Sequence, residues 1–276
     1  MQAIGVFDSG VGGLSVLKAL RDALPQERFV YVADAGHAPY GERDVAHVMA
    51  RSAAVGHYLM QVHQVKALVV ACNTATAAAI ATLRATYADL PIVGVEPALK
   101  PAAARSRTGV VGVLATRSTL ASEKFQALLK AQSPGVRFVL QACDGLAAAI
   151  ERVDPEQTEA LCSRYTTALG PIGSSAGSVD TVVLGCTHYP FVSDVLQRLL
   201  GPEVTLLDAG RPVAQRTAQL LGQKEQVNNQ PPPDLNAPSL LELWTTGDPD
   251  NLQAAARRWL GSEYLVHQAL IETIST

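Results

Sequence analysis

Two cysteines stand in matching surroundings: Cys72 in VVACNTATAAAI and Cys186 in VVLGCTHYPF, each ending an apolar run and followed by small polar residues. A thiol's reference pKa is about 8.5, and a helix start lowers it toward neutrality, so one such group can be thiolate while its partner keeps its proton. A thiolate and a thiol acting on opposite faces of one carbon perform stereoinversion: one removes the α-proton and the other returns a proton from the far side. A single base does not readily do both. Alone, each cysteine reads equally well as a small buried hydrophobe. His188, two residues after Cys186, can tune that thiol or carry a proton itself. Cys-x-His supplies too few ligands for zinc, and no second cluster has suitable spacing. A hydrolase with Cys72 as nucleophile and His188 as base leaves the second cysteine without a task. A binding protein that holds an amino acid without turnover is a third reading, in which loss of either cysteine leaves binding largely intact.

Other polar residues gather at similar places. Asp8 and Ser9 end the apolar run of VFDSGVGGLSVL, where glycines let the backbone approach a ligand before a helix begins. The stretch lacks the P-loop lysine and fails the GxGxxG spacing, so nucleotide binding is not indicated. A helix cap or turn suits Asp8 equally. Pro39, Tyr40 and Gly41 in AGHAPYGER read as a turn after the strand ending at Asp34. Glu151 lies near the end of a short helix and by itself reads as an exposed carboxylate. Cys143 and Cys162, in apolar or helical contexts, read as structural.

These residues need strands that deliver them and helices that follow. Short Val- and Leu-rich runs alternate with helical patterns: AIGVF, LSVLKAL, RFVYVAD, AHVMARSAAVGHYLMQV, ALVVA, TAAAIATLRATY and IVGV. This is a βαβ series with a mostly parallel sheet buried on both faces. The series restarts near Gly109 with VVGVL, a helix from about Leu120 to Ala131, RFVLQA, helices from Gly145 to Val153 and from Pro155 to Leu169, and TVVLG. A weak internal repeat pairs IGVFDSG with VGVLATR, RFVYVAD with RFVLQAC, and KALVVACNTA with DTVVLGCTHY. Ligands in open α/β sheets sit at the carboxyl ends of strands, where both cysteines fall. After Gly210 come a helix (PVAQRTAQLLG), the proline-rich KEQVNNQPPPDLNAPS read as an exposed loop, the strand LLELWTT, and a helix capped by Asp248 with Pro249 at its first position.

With 276 residues the chain has room for two domains of about a hundred residues each. Composition is 48% hydrophobic and 17% charged, with net charge -3, which gives no electrostatic reason to expect nucleic acid or an anionic membrane as partner. The N-terminus lacks the basic region and continuous apolar stretch of a signal peptide, and no uncharged apolar run reaches the roughly 18 residues of a membrane span. The expected location is the cytoplasm. Four well-separated cysteines with no CxxC indicate reduced thiols rather than a disulfide framework.

DSGVGG, ADAGHAPYG, ACNTA, GVLAT, LGCTHYP and LLDAG occur in the order seen in glutamate racemases, and the chain resembles that family from Ile4 to about Gly210. TTGDPDNLQAAARRWLG is similar to the family's closing segment. CNTA and GCTHYP are shared with aspartate and hydantoin racemases, whereas DSGVGG with PYG is more particular to the glutamate enzymes. The nearest rival is a sister racemase or decarboxylase that holds a different substrate side chain. The resemblance implies two similar, pseudo-twofold-related α/β domains with mostly parallel sheets and the active site in the cleft between them. Residues 1–96 with 208–276 would form the first domain and 97–207 the second. It further implies an isomerase that interconverts L- and D-glutamate with no pyridoxal phosphate, metal or other cofactor, supplying D-glutamate for peptidoglycan synthesis. Cys72 would act on the D-enantiomer, assisted by Asp8, and Cys186 on the L-enantiomer, assisted by His188, with Glu151 at the family's additional acid. Asp8, Ser9, Tyr40, Gly41, Asn73, Thr74, Thr187 and His188 would hold the ammonium and the two carboxylates. DGLAAAIER departs from the family by lacking larger apolar residues before the glutamate. Thr116 and Thr119 fall where the family often supplies hydroxyl donors. Family members are often homodimers, so the resemblance also implies a second copy of this chain as a partner.

Overall fold

The structure, a computed structural model, describes residues 2–132, 135–224, 226–228 and 240–273. The chain divides into two compact units, Met1–Val95 with Gly210–Thr276, and Glu96–Ala209. The first unit opens with β1 (Ile4–Asp8), α1 (Leu14–Ala23), β2 (Phe29–Ala33), α2 (Val45–Gln61), β3 (Ala67–Val70), α3 (Asn73–Thr86) and β4 (Ile92–Gly94). Strands β1, β2 and β3 are buried along their whole length, as a parallel sheet covered by helices on both faces requires. Asp44 caps α2 by accepting from the His47 N–H at 2.7 Å.

The second unit contains α4 (Leu99–Arg105), β5 (Val110–Ala115), α5 (Arg117–Ala121), α6 (Glu123–Gln132), β6 (Arg137–Ala142), α7 (Leu146–Glu151), α8 (Pro155–Thr167), β7 (Thr181–Gly185), α9 (Ser193–Leu200) and β8 (Thr205–Leu207). The single helix expected from about Leu120 to Ala131 is two. Ser122 interrupts it in an extended conformation, donating its hydroxyl to the Thr119 carbonyl and accepting the Phe125 N–H. The sheet runs β6-β5-β7-β8, all parallel. Alternate residues of β5 feed separate cores: Val110 and Leu114 join one, Val111 and Val113 the other.

The chain then returns to the first unit with α10 (Gly210–Gln223), β9 (Leu241–Thr245), α11 (Pro249–Leu260) and β10 (Val266–Gln268). Asp248 caps α11, with Pro249 in its first turn. The first unit's sheet is β10-β9-β2-β1-β3-β4, again all parallel. Its register places Asp8 opposite Ala33, Phe7 opposite Val70 and Ala33 opposite Thr245, so Asp8, Asp34, Cys72 and Thr246 emerge together at the carboxyl end of the sheet. Residues 229–239, most of the stretch read as a proline-rich loop, lie outside the described residues. Among the described residues no helix is long and apolar enough to cross a membrane.

Candidate active site

Polar side chains collect around one cysteine in each unit. In the first unit Cys72 is the N-cap of α3, delivered there by buried β3. Its Sγ accepts the Ala75 N–H at 3.4 Å, so the thiol sits on the positive end of a fourteen-residue helix, a setting that favours thiolate. On its other side the thiol meets the Ser9 hydroxyl at 3.9 Å, and that hydroxyl meets Asp8 Oδ1 at 3.5 Å. Both contacts lie at the outer edge of hydrogen bonding and place the hydroxyl between sulfur and carboxylate. Asp8 Oδ2 accepts the Gly13 N–H at 2.6 Å, so Asp8 also organises the turn into α1. The Tyr31 hydroxyl donates to the Gly10 carbonyl at 2.7 Å and pins that turn from below. Asn73 and Thr74 are buried beside the thiol, and Asn73 Nδ2 meets no hydrogen-bond acceptor among the described residues. A buried amide donor without an acceptor is costly unless a ligand supplies one.

In the second unit Cys186 follows β7, and His188 Nδ1 lies 3.6 Å from its Sγ. The other ring nitrogen, Nε2, lies 2.8 Å from Glu151 Oε1 at the last residue of α7. Burial alone favours neutral imidazole, but the hydrogen bonds and charges of Cys186 and Glu151 outweigh it and hold His188 well above the usual imidazole range. Through its two ring nitrogens His188 bridges the Cys186 sulfur and the Glu151 carboxylate. The Tyr189 hydroxyl, raised by burial and by Cys186 and Cys143, donates to the Cys143 carbonyl at 3.4 Å. Cys143 and Cys162 lie in the core with thiols driven up by burial, that of Cys162 to about 11. Thr187 is buried between Cys186 and His188.

Tyr40 and Gly41 form a short 3-10 turn in the first unit. Tyr40 is fully buried, and its hydroxyl donates to Asp34 Oδ2 at 2.5 Å. Burial and the neighbouring Asp34 carboxylate both push that phenol up, so it stays neutral. Sequence reasoning did not single out Asp34 or its partner Arg51. An aspartate after a strand is an ordinary turn former, and one arginine inside an amphipathic helix carries no sign that it points inward. Among the described residues no cluster of three His, Cys, Asp or Glu groups could hold a metal ion.

Comparison with known proteins adds to this geometry. The Asp/Glu/hydantoin racemase family pattern matches residues 4–217. A protein from Ectopseudomonas mendocina described as a glutamate racemase is 46% identical over 266 residues, covering 96% of this chain and 97% of its own. A crystal structure of a glutamate racemase isoform from Bacillus anthracis matches with a TM-score of 0.85 at 30% identity, covering 98% of this chain and 97% of that one. The Escherichia coli glutamate racemase, in complex with L-glutamate and the activator UDP-MurNAc-Ala, matches with a TM-score of 0.81 at 28% identity, covering 98% and 99%.

Proposed function

The chain belongs to the Asp/Glu/hydantoin racemase family, and from that premise we infer that it is a glutamate racemase, an isomerase interconverting L-glutamate and D-glutamate. The observation that carries the mechanism is that a thiol follows the third strand of each sheet, and each thiol has polar side chains beside it, Ser9 and Asp8 at one and His188 and Glu151 at the other. Acting on D-glutamate, the Cys72 thiolate takes the α-proton while Cys186 gives its proton to the opposite face. The Cys72 thiol then loses its proton through Ser9 to Asp8, and the Cys186 thiolate recovers one from His188 Nδ1, with Glu151 facing the ring at Nε2; exchange with solvent then takes the proton from Asp8 and returns one to His188. The L-enantiomer runs the same steps in reverse.

The α-proton is poorly acidic, so donors fixed in advance must stabilise the carbanion-like transition state. Asp8, Ser9, Asn73, Thr74, Thr187 and His188, all buried, are the side chains we assign to the substrate ammonium and carboxylates. With its hydroxyl committed to Asp34, Tyr40 contributes through the main chain of the Tyr40–Gly41 turn. No group beyond the chain's own is required by these steps. The product, D-glutamate, serves peptidoglycan synthesis, and the reading places the enzyme in the cytoplasm, where its thiols stay reduced.

The test is the circular dichroism of L-glutamate and, separately, D-glutamate incubated with the enzyme, with aspartate for comparison. Both glutamate signals should decay to zero, and Cys72→Ser and Cys186→Ser should each abolish the decay while retaining glutamate binding. Near-normal interconversion by either variant sinks the two-thiol assignment, and turnover of aspartate alone moves the chain to a sister activity.

A further inference from the structure

Asp34 is a fully buried carboxylate at the end of β2, and side chains from three other parts of the first unit converge on it. Oδ2 accepts the Tyr40 hydroxyl at 2.5 Å and Arg51 Nε at 3.0 Å, while Oδ1 accepts Arg51 Nη2 at 2.8 Å and the Thr246 hydroxyl at 2.9 Å. Arg51, on α2 and only 2% exposed, turns its remaining nitrogen to the C-terminal segment, with Nη1 donating to the Ile271 carbonyl at 3.0 Å and the Thr273 hydroxyl at 3.2 Å. The Thr246 hydroxyl also accepts the Gly36 N–H at 3.1 Å, which ties the start of the loop carrying Tyr40 to the same carboxylate.

An ion pair this deep contributes little net stability relative to apolar packing of the same volume, because desolvation cancels most of the attraction. What it supplies is fixed geometry. The guanidinium fork meets both carboxylate oxygens and cannot rotate without breaking two bonds. The phenol then has one place to donate, and the turn that follows it is held there.

We propose that Asp34, Arg51 and Thr246 are positioning residues that clamp the Tyr40–Gly41 turn in its glutamate-holding place, and that the segment at Ile271–Thr273 is a working part of the clamp. The proposal rests on the reading of Tyr40 and Gly41 as substrate-holding. All three act through the turn rather than on the reacting carbon. Their effect is on how well the substrate is held and not on the proton transfers.

Three variants of the 276-residue chain test this: Tyr40→Phe, Thr246→Val, and a chain ending at Leu270. Steady-state racemisation of both enantiomers is followed by circular dichroism, alongside thermal unfolding of each protein. KM for glutamate should rise about tenfold in Tyr40→Phe and about threefold in the other two, with kcat changed less than about twofold. Thr246→Ser, which keeps the hydroxyl, should restore the wild-type KM. A purely architectural role instead lowers the unfolding temperature and the amount of active enzyme while KM stays put, and that result in Thr246→Val, which removes one hydroxyl and keeps the side chain's shape, overturns the clamp even if the shortened chain fails to fold. Wild-type enzyme that does not turn over glutamate sinks the functional reading and the clamp with it, whereas wild-type turnover with an unmoved KM in the variants sinks the clamp alone.

Discussion

Cys72 and Cys186 differ in what stands behind them. A hydroxyl and a carboxylate serve the first, and an imidazole and a carboxylate serve the second. The imidazole makes the second arrangement pH-sensitive in a definite direction. Because His188 binds its proton more tightly in the folded chain than its ordinary value of 6.5, it stabilises the fold fully below that value. The contribution is lost as pH rises through the raised folded value. His188→Asn should therefore cost most stability near pH ~5 and progressively less at alkaline pH, measured by urea unfolding across that range. A constant difference at every pH would contradict a charged His188. Removing the carboxylate behind it, in Glu151→Gln, takes away a charge that holds the imidazolium. The limb of the kcat/KM profile that reports His188 should then move to lower pH, with roughly tenfold lower turnover. The sequence marks the two thiols and His188 by their setting, but it leaves Glu151 an ordinary helical carboxylate. Glu151 meets His188 from 37 residues away through the fold, a contact that no local spacing encodes.

At the scale of elements, the turn between β1 and α1 is held by contact rather than by unusual dihedrals. Gly13 has an ordinary helical φ of -61°, yet a Cβ there would lie 2.7 Å from the Asp8 Cβ, 2.9 Å from the Tyr31 hydroxyl oxygen and 3.1 Å from the Ala71 Cβ. None of these neighbours is the free end of a flexible chain. Gly13→Ala should cost about 1–3 kcal/mol in denaturant unfolding and displace Asp8, lowering kcat more than roughly tenfold. Gly222→Ala, in open space within α10, should leave turnover unchanged and alter stability by less than about 1 kcal/mol. Equal effects at the two positions would mean that the close approach at Gly13 is not what positions Asp8. Most elements are legible beforehand because hydrophobic periodicity spans them. The elements with no assignment in the sequence pattern have physical reasons for silence. Strands β8 and β10 are three residues long, too short to show a period; α4 carries Pro101 in its first turn, where proline is tolerated but reads as a breaker; and α9 is only eight residues, about two turns, close behind Pro190.

Over the whole chain the two units repeat one plan, with sheet orders β2-β1-β3-β4 and β6-β5-β7-β8 and a catalytic thiol proposed after the third strand of each. The faint pairing of ALVVACNTA with TVVLGCTHY is the sequence trace of that repetition. The units differ in how the chain completes them. Residues 96–209 are continuous and carry apolar cores built on both faces of their sheet, at a size that folds independently. Residues 1–95 lack β9, β10 and α10, the last of which packs on α1. Without residues 210–273, Asp34 loses the Thr246 hydroxyl, Arg51 loses the Ile271 carbonyl, and β2 becomes an unpaired sheet edge. A fragment of residues 96–209 should thus unfold cooperatively in urea with a slope of about 1–2 kcal/mol/M, followed by far-ultraviolet circular dichroism, whereas residues 1–95 alone should show no cooperative transition. A cooperative transition in the shorter fragment would mean that the returning segment is an addition to a domain already able to fold without it.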